Sequence, residues 1–284
     1  VDVRSQDPTR EPLRPNAQAL DLAARGLRAR RPDVAERFAG AVLAADPDNL
    51  LAAQILGAAR LMQGRAAEAI PPLQSAARRS TDPATETYLA KALALVGRRD
   101  EALGQLRTAI SRRPPFSQAF LELGDQLGEA GRFDEAGQVF EAGLSLMPDA
   151  AVLRIGLGYL HMRRNDRTRA RELFSEVRAA APQRRDAVIA LARVMVLDGE
   201  HAAATDLFRL ALAAAPDDAV IQIELGKCLL DMGDRKAGEA LLQAGGRRAA
   251  QRGTALKALA HGAHGRFFLR PSRAARFLRE GTPA

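Results

Sequence analysis

The sequence predicts an all-α fold, an α-solenoid of repeated helix-turn-helix units, on three observations. The first is the stretch 117–150, SQAFLELGDQLGEAGRFDEAGQVFEAGLSLMPDA. Its apolar and small residues stand at Phe120, Leu123, Gly124 and Leu127, then at Ala136, Val139, Phe140 and Gly143. Those spacings of three and four mark two amphipathic helices, broken at Gly131-Arg132. The second is recurrence. Sliding by the 34 residues of that unit brings small residues, a turn and a closing proline back at Gly158, Ala170, Phe174 and Pro182, then at Ala192, Gly199, Ala204, Phe208 and Pro216. The third is composition: 47% of the 284 residues are apolar, yet 4% are aromatic and Trp is absent, which suits helix pairs packed through Ala and Leu.

In period and in unit the chain resembles the tetratricopeptide repeats. The resemblance covers residues 16 to about 252 and divides them into seven repeats, 16–49, 50–82, 83–116, 117–150, 151–184, 185–218 and 219–252, the second one residue short. It implies a right-handed α-solenoid closed by one or more C-terminal capping helices. Counted within each unit, the eighth residue is Ala23, Gly57, Ala90, Gly124, Gly158, Ala192 and Gly226, and the twentieth is Ala35, Ala69, Ala102, Ala136, Ala170, Ala204 and Gly238. Small residues at both places let the two helices of a unit approach closely. A longer side chain there overpacks the contact by roughly 1–3 kcal/mol.

Taken in order, residues 1–15 hold three prolines and several charges without apolar periodicity, and read as an extended arm. The first repeat is degenerate: Arg30-Arg31-Pro32-Asp33 replaces the usual Gly turn, and Ala39 stands where other units place Leu or Phe. In the second, Pro71-Pro72 fall inside its second helix, which is therefore expected to start late or kink. Repeats three to six follow the template, with Pro114, Pro148, Pro182 and Pro216 closing their second helices and junctions such as Asp217-Asp218 opening the next. The seventh ends in Gly245-Gly246, and the following GTALKALAHGAHG places Leu256, Leu259, Ala260 and Ala263 as the start of a capping helix within the basic cap and tail, 253–284.

The net charge of +8 is concentrated at one end. Residues 243–284 carry nine Lys and Arg against Glu280 alone, so the remainder of the chain is balanced. In RFFLRPSRAARFLRE, Arg266, Arg270, Arg273, Arg276 and Arg279 face two alternatives. Either Phe267, Phe268 and Phe277 cover the cap's apolar flank, or the segment is a basic amphipathic element for an acidic partner, a membrane surface or nucleic acid. The first is favoured. No stretch approaches 18 consecutive apolar residues and no signal-like segment opens the chain, so a cytoplasmic protein is expected, or a periplasmic one if a leader was removed before Val1. Cys228, the single cysteine, is expected to be a buried, inert thiol.

Catalytic motifs are lacking, and neither a cofactor nor a metal is expected. His261 and His264 stand one turn apart without a local Cys, Asp or Glu, and His161 and His201 have no nucleophile motif beside them. Gly156-Leu157-Gly158 begins like a phosphate loop but lacks a third glycine and falls within a helix. The resemblance instead implies binding. In tetratricopeptide arrays positions 2, 5, 9 and 12 of each unit face the concave groove, which here gives Lys91, Leu121, Asp125, Ile155, Tyr159, Met162, Ile189, Arg193, Ile223 and Lys227, with Val152, Val196, Val220 and Leu230. An apolar floor with Arg193 and Lys227 suits an extended or helical peptide bearing carboxylates. The alternative is that these apolar residues merely pack against neighbouring helices.

The Lys and Asn pattern of the members that clamp chaperone C-termini is not reproduced at pairs such as Gln54 and Ala58 or Thr87 and Lys91. The expectation is thus a non-enzymatic scaffold or adaptor for a protein or peptide. A substrate-presenting arm of a sulfotransferase, glycosyltransferase or oxygenase, and a basic-tail docking module, stand as alternatives. Self-association through the first repeat is left open.

Overall fold

The computed structural model describes residues 15–262, 273 and 276–278, and every secondary-structure element among them is helical. By packing the chain divides into two units, Val1–Asp149 and Ala150–Ala284. The first contains α1 (Pro15–Arg28), α2 (Pro32–Ala45), α3 (Leu50–Met62), α4 (Ala66–Arg79), α5 (Pro83–Leu95), α6 (Arg99–Ser111), α7 (Ser117–Glu129) and α8 (Phe133–Leu146). The second contains α9 (Ala151–Arg163), α10 (Arg167–Ala180), α11 (Arg185–Leu197), α12 (His201–Ala214), α13 (Ala219–Asp231), α14 (Arg235–Gly246) and α15 (Ala249–His261). Among the described residues, seven helix-turn-helix pairs are followed by α15, the α-solenoid fold of tetratricopeptide repeats.

Within each unit, helices adjacent in the chain pack on one another. The first helices of successive pairs also touch, α1 with α3, α3 with α5 and α5 with α7 in one unit, α9 with α11 and α13 with α15 in the other. In each unit these odd-numbered helices, here termed the A helices, form one layer, and the even-numbered helices pack on it.

Where the eighth residue of a repeat is glycine, it sets the spacing of its helix pair. A Cβ added at Gly57 would lie 2.3 Å from Cγ of Leu73, and one at Gly158 would lie 2.4 Å from Cε1 of Phe174. Leu73 and Phe174 are fully buried, and so are Phe140 and Leu242 opposite Gly124 and Gly226. The glycine is thus the socket for the large side chain of the second helix. In the first pair both partners are small, Ala23 and Ala39, and both are buried.

Each pair turns through one residue with positive φ: Gly64, Gly97, Gly131, Gly199 and Gly233, but Arg30 at 54° and Asn165 at 59°. Asn tolerates this conformation better than most residues. Arg30 shows that the degenerate first repeat keeps the same turn without the glycine. Helix starts are capped as their polar junctions foretell, with Asn49 accepting from the Ala52 N–H and Asp82, Asp166, Asp218 and Asp234 acting likewise.

The late start allowed for at Pro71-Pro72 does not occur. Helix α4 does not start late but runs continuously from Ala66 to Arg79 with both prolines inside. Pro72 has no N–H to give the Glu68 carbonyl one turn before it. That carbonyl instead accepts a hydrogen bond from Nη1 of Arg60 on α3, at 2.8 Å. The neighbouring helix supplies the donor that the proline lacks. Burial of Ala69, Leu73 and Ala76 holds the rest of α4 in place.

At the C-terminal end, α15 begins at Ala249, ahead of the stretch expected to form the cap. No proline follows Gly245-Gly246, and the chain re-enters a helix directly after Arg247-Arg248. Leu259 and Ala255 of α15 join Leu242, Ile223 and Leu230 in a buried cluster, and Phe277 and Leu278 complete it. The cap reading of the tail accounts for these two residues. Phe267 and Phe268 lie outside the described residues.

Candidate functional site

In the Ala150–Ala284 unit, the A helices expose two cavities that share Val220. One, of about 310 Å³, lies along α9, α11 and the start of α13, and is lined by Tyr159, Ile189, Arg193, Asp186, Asp218 and Val220. The other, of about 380 Å³, lies between α13 and α15, with Val220, Ile223, Lys227, Thr254, Lys257 and Ala258 among its walls. Six of the groove residues expected from sequence, Tyr159, Ile189, Arg193, Val220, Ile223 and Lys227, therefore line these two cavities. Ile155 does not: it is 7% exposed and belongs to the buried core between α9, α11 and α13. Met162 packs half-buried against the same core.

In the Val1–Asp149 unit, Lys91 and Asp125 line a separate cavity of about 470 Å³ with Leu95, Arg99, Glu122 and Arg132. Leu121 is half-buried and outside that lining.

The local helix geometry explains the sorting. Positions 3, 7 and 11 of α13, Ile221, Leu225 and Leu229, point into the core, so positions 2 and 9, Val220 and Lys227, are left exposed. Position 5 lies between the two sets, which is why Ile223 is 4% exposed yet forms the base of a cavity.

The charges on this face are largely satisfied internally. Arg193 is half-buried, with Nε 3.0 Å from Oε1 of Glu224 and Nη1 3.3 Å from the Tyr159 hydroxyl. Burial works against its charge, but Glu224 and Tyr159 outweigh that and hold the guanidinium above its usual range. The Tyr159 ring leans on Phe174 at 5.2 Å between centroids, fixing the hydroxyl. Lys91 pairs with Glu122 at 3.4 Å in the same fashion.

Sequence reasoning named the cations and missed their acids. The missed signal is an acid at the sixth position of the next A helix after a cation at the ninth. Lys257 was also missed, because α15 was assigned to the cap.

The remaining candidates separate clearly. Cys228 is 1% exposed and burial pushes its thiol up to about 12, the inert state expected of it. His161 Nδ1 stands 3.0 Å from the Asp166 carboxylate beside its turn, and His261 Nδ1 donates to the Lys257 carbonyl at 2.8 Å. Gly156 and Gly158 are buried within α9. His264 lies outside the described residues. Arg273 and Arg276 are exposed, while Arg266, Arg270 and Arg279 lie outside the described residues. Among the described residues no cluster of three or more His, Cys, Asp or Glu could hold a metal, and no helix is long and apolar enough to cross a membrane.

Comparison with known proteins agrees with this architecture. Two family models, each described as a tetratricopeptide repeat, match residues 20–84 and 89–151 in one case and 128–194 and 195–261 in the other. A small glutamine-rich tetratricopeptide repeat-containing protein 2 from Mycosarcoma maydis is 29% identical over 115 residues, 40% of this chain. The match spans 30% of that relative's length. Among solved structures, a tetratricopeptide repeat protein from Parabacteroides merdae superposes with a TM-score of 0.65 at 16% identity, covering 86% of this chain and 97% of that one. Human IFIT1, solved as a dimer with m7Gppp-AAAA, gives a TM-score of 0.72 at 16% identity over 89% of this chain and 64% of its own. At such identities these two likenesses concern the fold.

Proposed function

The chain belongs to the tetratricopeptide repeat family, and from that premise we propose that it is a non-enzymatic adaptor whose A-helix face in the Ala150–Ala284 unit binds an extended or helical peptide of a protein partner. The family's general role as a protein-interaction scaffold supports the first half of this reading. The observation that carries the second half is the pair of cavities meeting at Val220, one edged by Tyr159, Ile189 and Arg193 and the other by Ile223 and Lys227. Consecutive pockets along one face suit successive side chains of a bound segment. Aliphatic walls supply the burial, and the rigid Tyr159–Arg193 edge supplies orientation.

The test is a crosslinking pull-down from native extract with the intact chain, Val220→Lys, and Arg273→Glu with Arg276→Glu. Val220 is 38% exposed, so a lysine there blocks both cavities without entering the core. A specific protein held by the wild type and lost from Val220→Lys, with helicity unchanged, is the expected result. Loss confined to the Arg273 and Arg276 variant moves the function to the basic tail.

A further inference from the structure

The cavity between α13 and α15 departs from a charge pattern that two other A-helix junctions keep. In two places the ninth residue of an A helix is a cation that meets an acid at the sixth residue of the next. Lys91 of α5 meets Glu122 of α7 at 3.4 Å, and Arg193 of α11 meets Glu224 of α13 at 3.0 Å. Lys227 holds the same ninth position in α13. The A helix beyond it, α15, reads AAQRGTALKALAH and contains no Asp or Glu. Where the acid would stand, α15 offers Thr254 and Ala258, and it adds a second cation, Lys257.

Among the described residues neither Lys227 nor Lys257 makes an ion pair. The acid that does line this cavity, Glu224, is already engaged by Arg193. Two ammonium groups thus edge a cavity based on Val220, Ile223 and Ala258, and among its described lining residues the one acid, Glu224, is turned to Arg193.

We propose that this cavity takes a side-chain carboxylate of the partner peptide, seated between Lys227 and Lys257, with a neighbouring aliphatic side chain of that peptide on Val220, Ile223 and Ala258. The external carboxylate fills the place that Glu122 and Glu224 fill within the chain. Charge-assisted hydrogen bonds from two ammoniums suit a carboxylate, and an aliphatic base at their feet favours it over a free or nucleic-acid phosphate, which brings no apolar body. This selectivity rests on the peptide-binding reading above.

The test uses two pooled sets of fluorescent nonapeptides, acetylated and amidated at their ends. One alternates Leu or Ile with Glu or Asp, and the other replaces every Glu and Asp with Gln and Asn. Binding is read by anisotropy with the wild type and with the double variant Lys227→Met, Lys257→Met, both positions being exposed and the variant checked by circular dichroism. The expected result is at least tenfold tighter binding of the acidic set, lost in the double variant and weakened by salt. Equal binding of the two sets, binding indifferent to the lysines, or binding of neither set overturns the proposal. A protein partner that Val220→Lys loses but the double methionine variant still holds leaves the peptide-binding face standing and removes the carboxylate from it.

Discussion

Arg193 reaches back one repeat to Tyr159, donating from Nη1 to the phenol oxygen at 3.3 Å, while its Nε holds Glu224 of the next repeat at 3.0 Å. One side chain therefore ties three successive A helices, α9, α11 and α13, and does so on the face proposed to bind. A cation already answered by Glu224 orders that face more than it attracts a ligand. A double-mutant cycle with Arg193→Met and Glu224→Gln should give a coupling energy of about 1 kcal/mol in urea unfolding, as for a partly screened pair in contact. A coupling of zero would mean that the bridge is held by solvent-exposed geometry alone and does not stiffen the layer.

Most of the fold was legible because a repeat writes its packing rule many times over. Gly57, Gly124, Gly158 and Gly226 recur at one register, and each turned out to be the socket of a large side chain sixteen residues on. What escaped the sequence were relations between repeats. Nothing local to Pro71-Pro72 announces that Arg60, on the preceding helix, will supply the missing donor. Nothing around Arg193 or Lys91 announces their acids, because each pair joins residues 31 apart. The tail was less legible for a related reason: Phe277 reads as a cap, the favoured alternative, or as a binding face until Leu242 and Leu259 are seen to meet it.

The sockets can be tested against a glycine that has none. Gly158→Ala places a methyl 2.4 Å from the ring of Phe174, which is fully buried and cannot swing away, so a loss of roughly 1–3 kcal/mol is expected. Gly104 lies in α6 with nothing within 4 Å of an added Cβ, and Gly104→Ala should stabilise by about 0.5–1 kcal/mol through helix propensity. Urea midpoints of the two variants should move in opposite directions. A gain in both would refute the close approach of α9 and α10.

The Arg60 bond to the Glu68 carbonyl predicts an interaction between distant substitutions. Arg60→Met removes that donor and the contact with Glu36 at 3.3 Å, and should cost about 1 kcal/mol. Pro72→Ala restores an N–H to the same carbonyl and relieves an interior proline, so it should stabilise on its own. In the Pro72→Ala background the penalty of Arg60→Met should shrink by about half. An unchanged penalty would assign the whole effect of Arg60 to Glu36.

Asp218 gives the array a defined sensitivity to acid. Its carboxylate caps α13, accepting from the Val220 and Ile221 N–H groups at 2.9 and 3.2 Å, and it receives Nη2 of Arg185, at the start of α11, at 2.5 Å. Burial alone would raise its pKa, but the Arg185 bond and the backbone donors outweigh burial and hold it below the usual Asp range. A carboxyl lowered in the folded state stabilises above its unfolded pKa of about 3.9, and that contribution is lost as pH falls through the folded value. Asp218→Ala should therefore cost about 1–2 kcal/mol at neutral pH, from the lost cap and ion pair. Urea unfolding repeated at progressively lower pH should show the gap to wild type narrowing once the medium is more acidic than about 4. A gap that stays constant would mean that the carboxylate's charge contributes nothing and that its shape alone caps the helix.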